Sequence, residues 1–127
     1  MSTAKRAERY KGIVGMATYI LVHGGNMSTD TWNRLTGRHD YPDGCRLGAK
    51  YWDGTIAILK EHGHRAFAPT LADEHTHNLT DHSEQVCTLI ETQDLRDLIL
   101  VGHSYGGMVI TGVADRMAGE DKAPRVP

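Results

Sequence analysis

One serine flanked by glycines is the feature of this sequence that points most directly to chemistry. The segment Gly102-His-Ser-Tyr-Gly106 fits the G-x-S-x-G pattern of a nucleophilic serine. An apolar run, Leu98 to Val101, precedes it, and helical spacing over Met108 to Met117 follows it. A serine on a sharp strand-to-helix turn needs glycines two residues to either side, because side chains there would collide. The pattern predicts Ser104 as a nucleophile, and the alternative is a glycine-rich turn with an idle serine.

A second group of residues suits the same chemistry. His23-Gly24-Gly25 lies at the end of the apolar run Thr18 to Val22. A flexible turn there presents a backbone N–H to the negative charge that develops when a serine attacks a carbonyl group. The helix after Ser104 directs the positive end of its dipole to the same place. Together with the serine turn, the glycine pair predicts one half of an oxyanion hole.

The elements that must hold these residues alternate along the chain. Three short apolar runs predict buried parallel strands, at residues 18–22, 64–69 and 98–101. Helical spacing predicts three helices, at residues 51–62, 81–92 and 108–117, the second capped by Thr80. Two polar segments, 33–50 and 72–78, are predicted to be loops. This order predicts an α/β fold, a parallel sheet with helices on both faces.

Length and composition limit the class of protein. A chain of 127 residues is long enough for one domain, and residues 1–15 are predicted to be a flexible extension before it. The net charge of −2 argues against a nucleic-acid partner, and no apolar run is long enough to span a membrane. Only two cysteines are present and no secretory signal precedes the domain, so a cytoplasmic location is expected.

Three segments together resemble a known family. Ile20-Leu-Val-His-Gly-Gly25, His62-Gly-His-Arg-Ala-Phe-Ala-Pro69 and Leu98-Ile-Leu-Val-Gly-His-Ser-Tyr-Gly-Gly-Met108 are similar to the α/β-hydrolases, especially the small esterases grouped with plant methylesterases and hydroxynitrile lyases. The resemblance covers about residues 18–119, so residues 16–119 are assigned as the N-terminal half of such a domain.

The resemblance implies a site and a topology. Ser104 would attack a small-molecule ester, and the N–H groups of Gly25 and Tyr105 would form the oxyanion hole. The family uses no metal and no organic cofactor. The three strands would be the third, fourth and fifth of the family's sheet, side by side in the order 4-3-5. Lyase chemistry on cyanohydrins occurs on the same scaffold.

The chain departs from the family in its catalytic residues. Family order is serine, acid, histidine, but no histidine follows Ser104, and Asp115 belongs to the helix that follows the serine. His103 is excluded as the base because adjacent side chains at such a turn face different ways. Several upstream histidines raise the alternative of a metal site, but we expect them to be loop and cap residues: His62, His64, His75, His77 and His82.

The segment 33–50 is a second departure, and it is expected near the mouth of the site. Residues 120–127 form a tail unlike the family. A one-base shift in one choice of its codons yields Lys-Ile-Arg-His-Leu-Val-Tyr, a turn and strand that a relative would have there. The tail is therefore interpreted as out of frame, and the alternatives are a deliberately shortened chain or a natural short protein that pairs with another.

The sequence thus predicts a serine hydrolase acting on carboxylic esters, represented by a truncated chain with little activity of its own. The alternatives are a non-catalytic protein that binds small molecules and one half of a two-chain hydrolase. A three-stranded sheet without its neighbours exposes its edges, so self-association through them is expected.

Overall fold

Three parallel strands form one sheet in the computed structural model, which describes residues 16–25 and 27–118. The strands are β1 (Thr18–Val22), β2 (Arg65–Phe67) and β3 (Leu98–Gly102). Their order is β2-β1-β3, with Thr18 opposite both Arg65 and Leu98. This is the arrangement that the family resemblance implied, and β2 and β3 are the outermost strands of the described sheet. The predicted extension 1–15 and tail 120–127 lie outside the described residues.

Within the described residues, four α-helices connect and cover the strands. They are α1 (Thr29–Thr36), α2 (Asp53–Glu61), α3 (Leu79–Thr92) and α4 (Tyr105–Met117), and a 3-10 helix at Gly48–Trp52 leads into α2. Among the described residues, no helix has the length and hydropathy needed to cross a membrane.

Helices cover both faces of the sheet, as predicted. Ile20 and Val22 of β1 are fully buried with apolar residues of α3 and α4, such as Ile90 and Val113. Leu21 lies between them in sequence, so its side chain points to the opposite face, where it is also buried. On that face α2 packs against β2, and the 3-10 helix contacts β1. A two-sided apolar strand is the pattern that a parallel sheet requires.

The segment between β1 and α2 differs from its prediction. Residues 33–50 were expected to be one long loop, but α1 extends to Thr36 and the 3-10 helix begins at Gly48. Ser28 caps α1 by accepting the Thr31 N–H, and Gly37 ends it in the left-handed conformation, with φ 70°. Both signals are visible in the sequence. The prediction of a loop was wrong at both ends, and residues 38–47 remain non-helical.

Two helix starts also differ from prediction. Asn78, not Thr80, caps α3: its side chain accepts the Asp81 N–H, and the Asp81 side chain accepts the Asn78 N–H. Helix α4 begins at Tyr105 rather than Met108. Gly106 and Gly107 are part of this helix in spite of their low helix propensity.

Candidate active site

Ser104 stands at the turn between β3 and α4. Its backbone has φ 55° and ψ −121°, which places it in the left-handed half of backbone space, and its side chain is exposed. A residue other than glycine held in such a region costs about 1–3 kcal/mol and is typical of functional sites. The strand-to-helix turn predicted from the sequence is confirmed.

Two glycines make this turn possible. A Cβ on Gly102 would lie 2.5 Å from the carbonyl carbon of Gly106. A Cβ on Gly106 would collide with the carbonyl oxygen of Val22 and lie 2.9 Å from that of His23. These obstacles are backbone atoms, which cannot rotate away. Only glycines at both positions let α4 start against the ends of β1 and β3.

The loop after β1 packs directly on this turn. The His103 N–H donates to the Val22 carbonyl at 3.0 Å. A Cβ on Gly24 would lie 3.0 Å from the His103 carbonyl oxygen and 3.1 Å from the Cβ of Ser104, so a side chain there would have to push the two segments apart. Gly25 borders the same cleft as Ser104. The two glycine-containing segments that were singled out in the sequence therefore meet at one place.

His23 is buried beside this loop and uses both ring nitrogens. Nδ1 lies 2.8 Å from the Gly24 carbonyl oxygen, and Nε2 lies 3.0 Å from the Leu71 backbone nitrogen. Because a carbonyl only accepts and an N–H only donates, Nδ1 carries the proton and Nε2 is the acceptor. Burial lowers the pKa of His23, and this effect exceeds the opposing effect of the Gly24 hydrogen bond. His23 is thus a neutral structural residue rather than a free base.

His82 is a second buried histidine, and it lies against Tyr105. Its Nε2 is 2.8 Å from the Ala72 carbonyl oxygen, and its Nδ1 is 2.7 Å from the Tyr105 hydroxyl. Because the Ala72 carbonyl only accepts, Nε2 carries a proton; in the neutral ring Nδ1 is then the acceptor, and the tyrosine O–H donates to it. Burial raises the pKa of Tyr105, which keeps the hydroxyl protonated. The sequence contained His82 only as one of several upstream histidines and gave no sign of this contact.

The other upstream histidines are separate from the serine turn. His64 accepts the Ala17 N–H at 3.1 Å, and His62 lies 2.9 Å from the Ile58 carbonyl oxygen at the end of α2. His77 lies in the loop before α3, 2.9 Å from the Thr76 hydroxyl. Within residues 16–25 and 27–118, no three His, Cys, Asp or Glu side chains gather as metal ligands.

A cleft of about 190 Å³ opens beside Ser104. The Gly24–Gly25 loop forms one wall, and the end of the segment between α1 and α2 forms the other; the lining residues are His23, Gly24, Gly25, Met27, Leu47, Gly48, Tyr51, His103 and Ser104. The His103 ring packs on Tyr51, with 4.7 Å between ring centroids. The expectation that segment 33–50 reaches the mouth of the site is confirmed by Leu47 and Gly48.

Comparisons with known proteins agree with this arrangement. Residues 19–126 match the model of the "Alpha/beta hydrolase family". The chain is 39% identical, over 112 residues, to a carbendazim hydrolyzing esterase of Nocardioides sp. (strain SG-4G); the match covers 81% of this chain and 38% of that protein.

A solved structure gives the same result. It is described as an extracellular alpha/beta-hydrolase from a Paenibacillus species with structural and functional homology to Tobacco Salicylic Acid Binding Protein 2. Its TM-score is 0.63 at 27% identity, over 87% of this chain and 38% of that one. The chain thus spans 38% of the length of each of these two proteins. The family match over most of its residues, the parallel sheet and the glycine-flanked serine turn agree: this chain belongs to the alpha/beta hydrolase family.

Proposed function

We propose that this chain carries the nucleophile and the oxyanion hole of a serine hydrolase that acts on carboxylic esters. The observation that carries the proposal is the placement of Ser104, exposed at a strained turn, bordering a cleft with the Gly24–Gly25 loop. The similarity to an esterase supports the same reaction class.

The Ser104 Oγ attacks the ester carbonyl carbon, and the carbonyl oxygen becomes an oxyanion. The backbone N–H of Tyr105 is in the first turn of α4 and has no acceptor within its own helix. Together with the Gly25 N–H, it donates to the oxyanion. The tetrahedral intermediate collapses, the C–O bond to the alcohol breaks, and the acyl group stays on Ser104 until water releases the acid.

The general base is proposed to come from residues outside this sequence. A base must take the serine proton as the Oγ attacks and return it to the departing alkoxide. The two buried histidines near the turn, His23 and His82, already use both ring nitrogens in hydrogen bonds. No histidine follows Ser104. We therefore expect this chain alone to react with esters slowly, through its oxyanion hole.

A labelling experiment tests the proposal. The purified chain is incubated with a fluorophosphonate, which bonds covalently to nucleophilic serines, and the modified residue is located by peptide mass spectrometry. We expect labelling of Ser104, its loss in Ser104→Ala, and its retention in Thr92→Val, which removes an exposed hydroxyl that bonds only within its own helix, α3. Slow release of p-nitrophenol from p-nitrophenyl acetate, and any turnover of carbendazim, are measured on the same variants.

Two results would contradict the proposal. Labelling that persists in Ser104→Ala would place the reactive group elsewhere. Saturable binding of an ester without any labelling of Ser104 would instead favour a non-catalytic protein that binds small molecules.

A further inference from the structure

Two consecutive residues, Leu71 and Ala72, form hydrogen bonds to side chains through all of their backbone N–H and C=O groups. The Leu71 N–H donates to His23 Nε2, and the Ala72 carbonyl accepts from His82 Nε2. The Leu71 carbonyl accepts from Arg46 at 3.1 Å, and the Ala72 N–H donates to Gln85 Oε1 at 2.9 Å. A segment after β2 with no regular structure thereby has a side-chain partner for each of its four backbone polar groups.

Each of the two histidines also bonds, through its other ring nitrogen, to one side of the serine turn. His23 donates through Nδ1 to the Gly24 carbonyl, whose carbon is bonded to the Gly25 nitrogen. His82 accepts through Nδ1 from the hydroxyl of Tyr105. His23 and His82 are 5% and 1% exposed, so water does not compete for these bonds.

We propose that His23 and His82 are positioning residues for the two backbone donors of the oxyanion hole, the N–H groups of Gly25 and Tyr105. Because both histidines bond the Leu71–Ala72 segment, they fix the positions of the two donors relative to each other. This inference rests on the proposed function, because it gives both N–H groups a catalytic task. Neither histidine touches the substrate.

The physical reason is that an oxyanion hole works only when both donors are fixed before the charge forms. A donor that must reorient as the oxyanion develops loses most of its advantage, and displacements of about 1 Å cost large factors in rate. The Gly24–Gly25 loop lacks side chains of its own to restrain it. The Tyr105 N–H belongs to a first helical turn, which lacks the full set of helix hydrogen bonds. Both donors therefore need support from outside their own segments.

The test uses the full chain and the rate of fluorophosphonate labelling at Ser104. The dependence of rate on probe concentration separates initial binding from the covalent step, in which the phosphoryl oxygen occupies the oxyanion hole. We expect Tyr105→Phe to slow the covalent step about tenfold with half-saturation unchanged, because one donor is loosened but still present. His82→Phe should do the same.

Three further variants separate positioning from simple stabilisation. His82→Gln keeps a donor and an acceptor and should restore most of the rate. The double variant Tyr105→Phe/His82→Phe should be no slower than His82→Phe alone, because Tyr105→Phe removes only the His82–Tyr105 hydrogen bond, which His82→Phe has already removed together with the bond to Ala72. Ser83→Ala is the matched control: its hydroxyl also joins α3 to α4, at the Val109 carbonyl, but touches neither Tyr105 nor Ala72. It should lower the melting temperature and leave the labelling rate unchanged.

Backbone amide resonances give a readout that needs no reaction. In ¹⁵N-labelled protein, His82→Phe should shift the amide signals of both Tyr105 and Gly25, whereas Ser83→Ala should leave Gly25 unmoved. The inference is overturned if Tyr105→Phe and His82→Phe label at the wild-type rate, or if the Gly25 amide signal does not shift in His82→Phe. In either case, labelling of Ser104 would still support the proposed function. Absence of Ser104 labelling in the wild-type chain overturns the proposed function, even if the amide signals show the two donors to be coupled.

Discussion

The turn at Ser104 and the excursion at residues 29–52 border the same cleft, but different interactions build them. The turn is set by steric exclusion: Gly102 and Gly106 remove the side chains that backbone atoms of the turn itself and of the end of β1 would meet. The excursion depends on side-chain hydrogen bonds within its own segment. Thr29, fully buried, donates its hydroxyl proton toward Pro42 at 2.7 Å, and Asn33 donates to the Tyr41 carbonyl at 2.8 Å. Backbone sterics therefore determine the structure of the turn, whereas side-chain hydrogen bonds determine the structure of the excursion.

Replacing a turn glycine should have the largest effect of any change in either region. In Gly106→Ala the new methyl group meets the carbonyl oxygens of Val22 and His23, so α4 must move away from β1. We expect a loss of more than about 4 kcal/mol, a large part of the roughly 5–15 kcal/mol that stabilises a typical domain. Thermal and urea melts followed by circular dichroism measure it.

The adjacent glycine is the control for this variant. Gly107 lies in the same helical turn, but a Cβ there would meet nothing within 4 Å. Gly107→Ala should therefore stabilise the protein by about 0.5–1 kcal/mol, the ordinary gain of alanine over glycine in a helix. Equal melting temperatures for the two variants would show that the turn is not defined by steric exclusion.

This contrast explains which parts of the molecule the sequence predicted. Strands β1 and β3 and the turn at Ser104 follow from local patterns: apolar runs, and glycines two residues from a serine. Helix α1 was missed although Ser28 and Gly37 mark its ends, because the glycines and proline that follow dominated the reading of segment 33–50.

The buried histidines were beyond prediction for a different reason. His23 and His82 acquire their partners from residues 48 and 10 positions away, Leu71 and Ala72. The side-chain pattern of a single sequence does not encode which backbone atom a histidine will meet. A histidine just after a buried strand, or on the inner face of a helix, is the only signal that could have drawn attention to them.

A substitution at Thr29 should loosen the excursion and leave the turn intact. Thr29 Oγ1 donates toward Pro42 and accepts the Cys45 N–H at 3.1 Å. Thr29→Val keeps the shape and removes both bonds, so we expect a loss of about 1–3 kcal/mol. Hydrogen exchange followed by NMR should speed up at Cys45 and stay unchanged at Gly107 of the turn.

The control for Thr29 is a threonine with only local contacts. The Thr92 hydroxyl is exposed and bonds the Thr88 carbonyl of its own helix at 2.6 Å. Thr92→Val should change stability by less than about 0.5 kcal/mol. Faster exchange at Gly107 in Thr29→Val would mean that turn and excursion unfold as one unit, and the distinction between them would fail.

The smallest expected effect is a pH dependence at the junction of the two regions. His23 joins them, because Leu71 donates its N–H to His23 and accepts from Arg46 of the excursion. Burial holds the pKa of His23 in the folded chain below its ordinary value of 6.5; the nearby Arg46 and His82 act in the same direction, while the Gly24 hydrogen bond and Glu74 oppose them. As pH falls below about 6.5, the unfolded chain therefore binds a proton before the folded chain does.

The sign of the effect follows from that order of protonation. The contribution of His23 is complete above about pH 6.5 and is lost progressively as pH falls toward the lowered pKa of the folded state. Urea melts between about pH 7 and pH 5 should show the free energy of unfolding falling more steeply in the wild type than in His23→Gln, which has no proton to gain. Parallel pH profiles would mean that His23 takes up its proton in the folded chain as readily as in the unfolded one. The hydrogen bond from Leu71 to Nε2 would then not hold the ring neutral, and the junction between turn and excursion would be weaker than its distances imply.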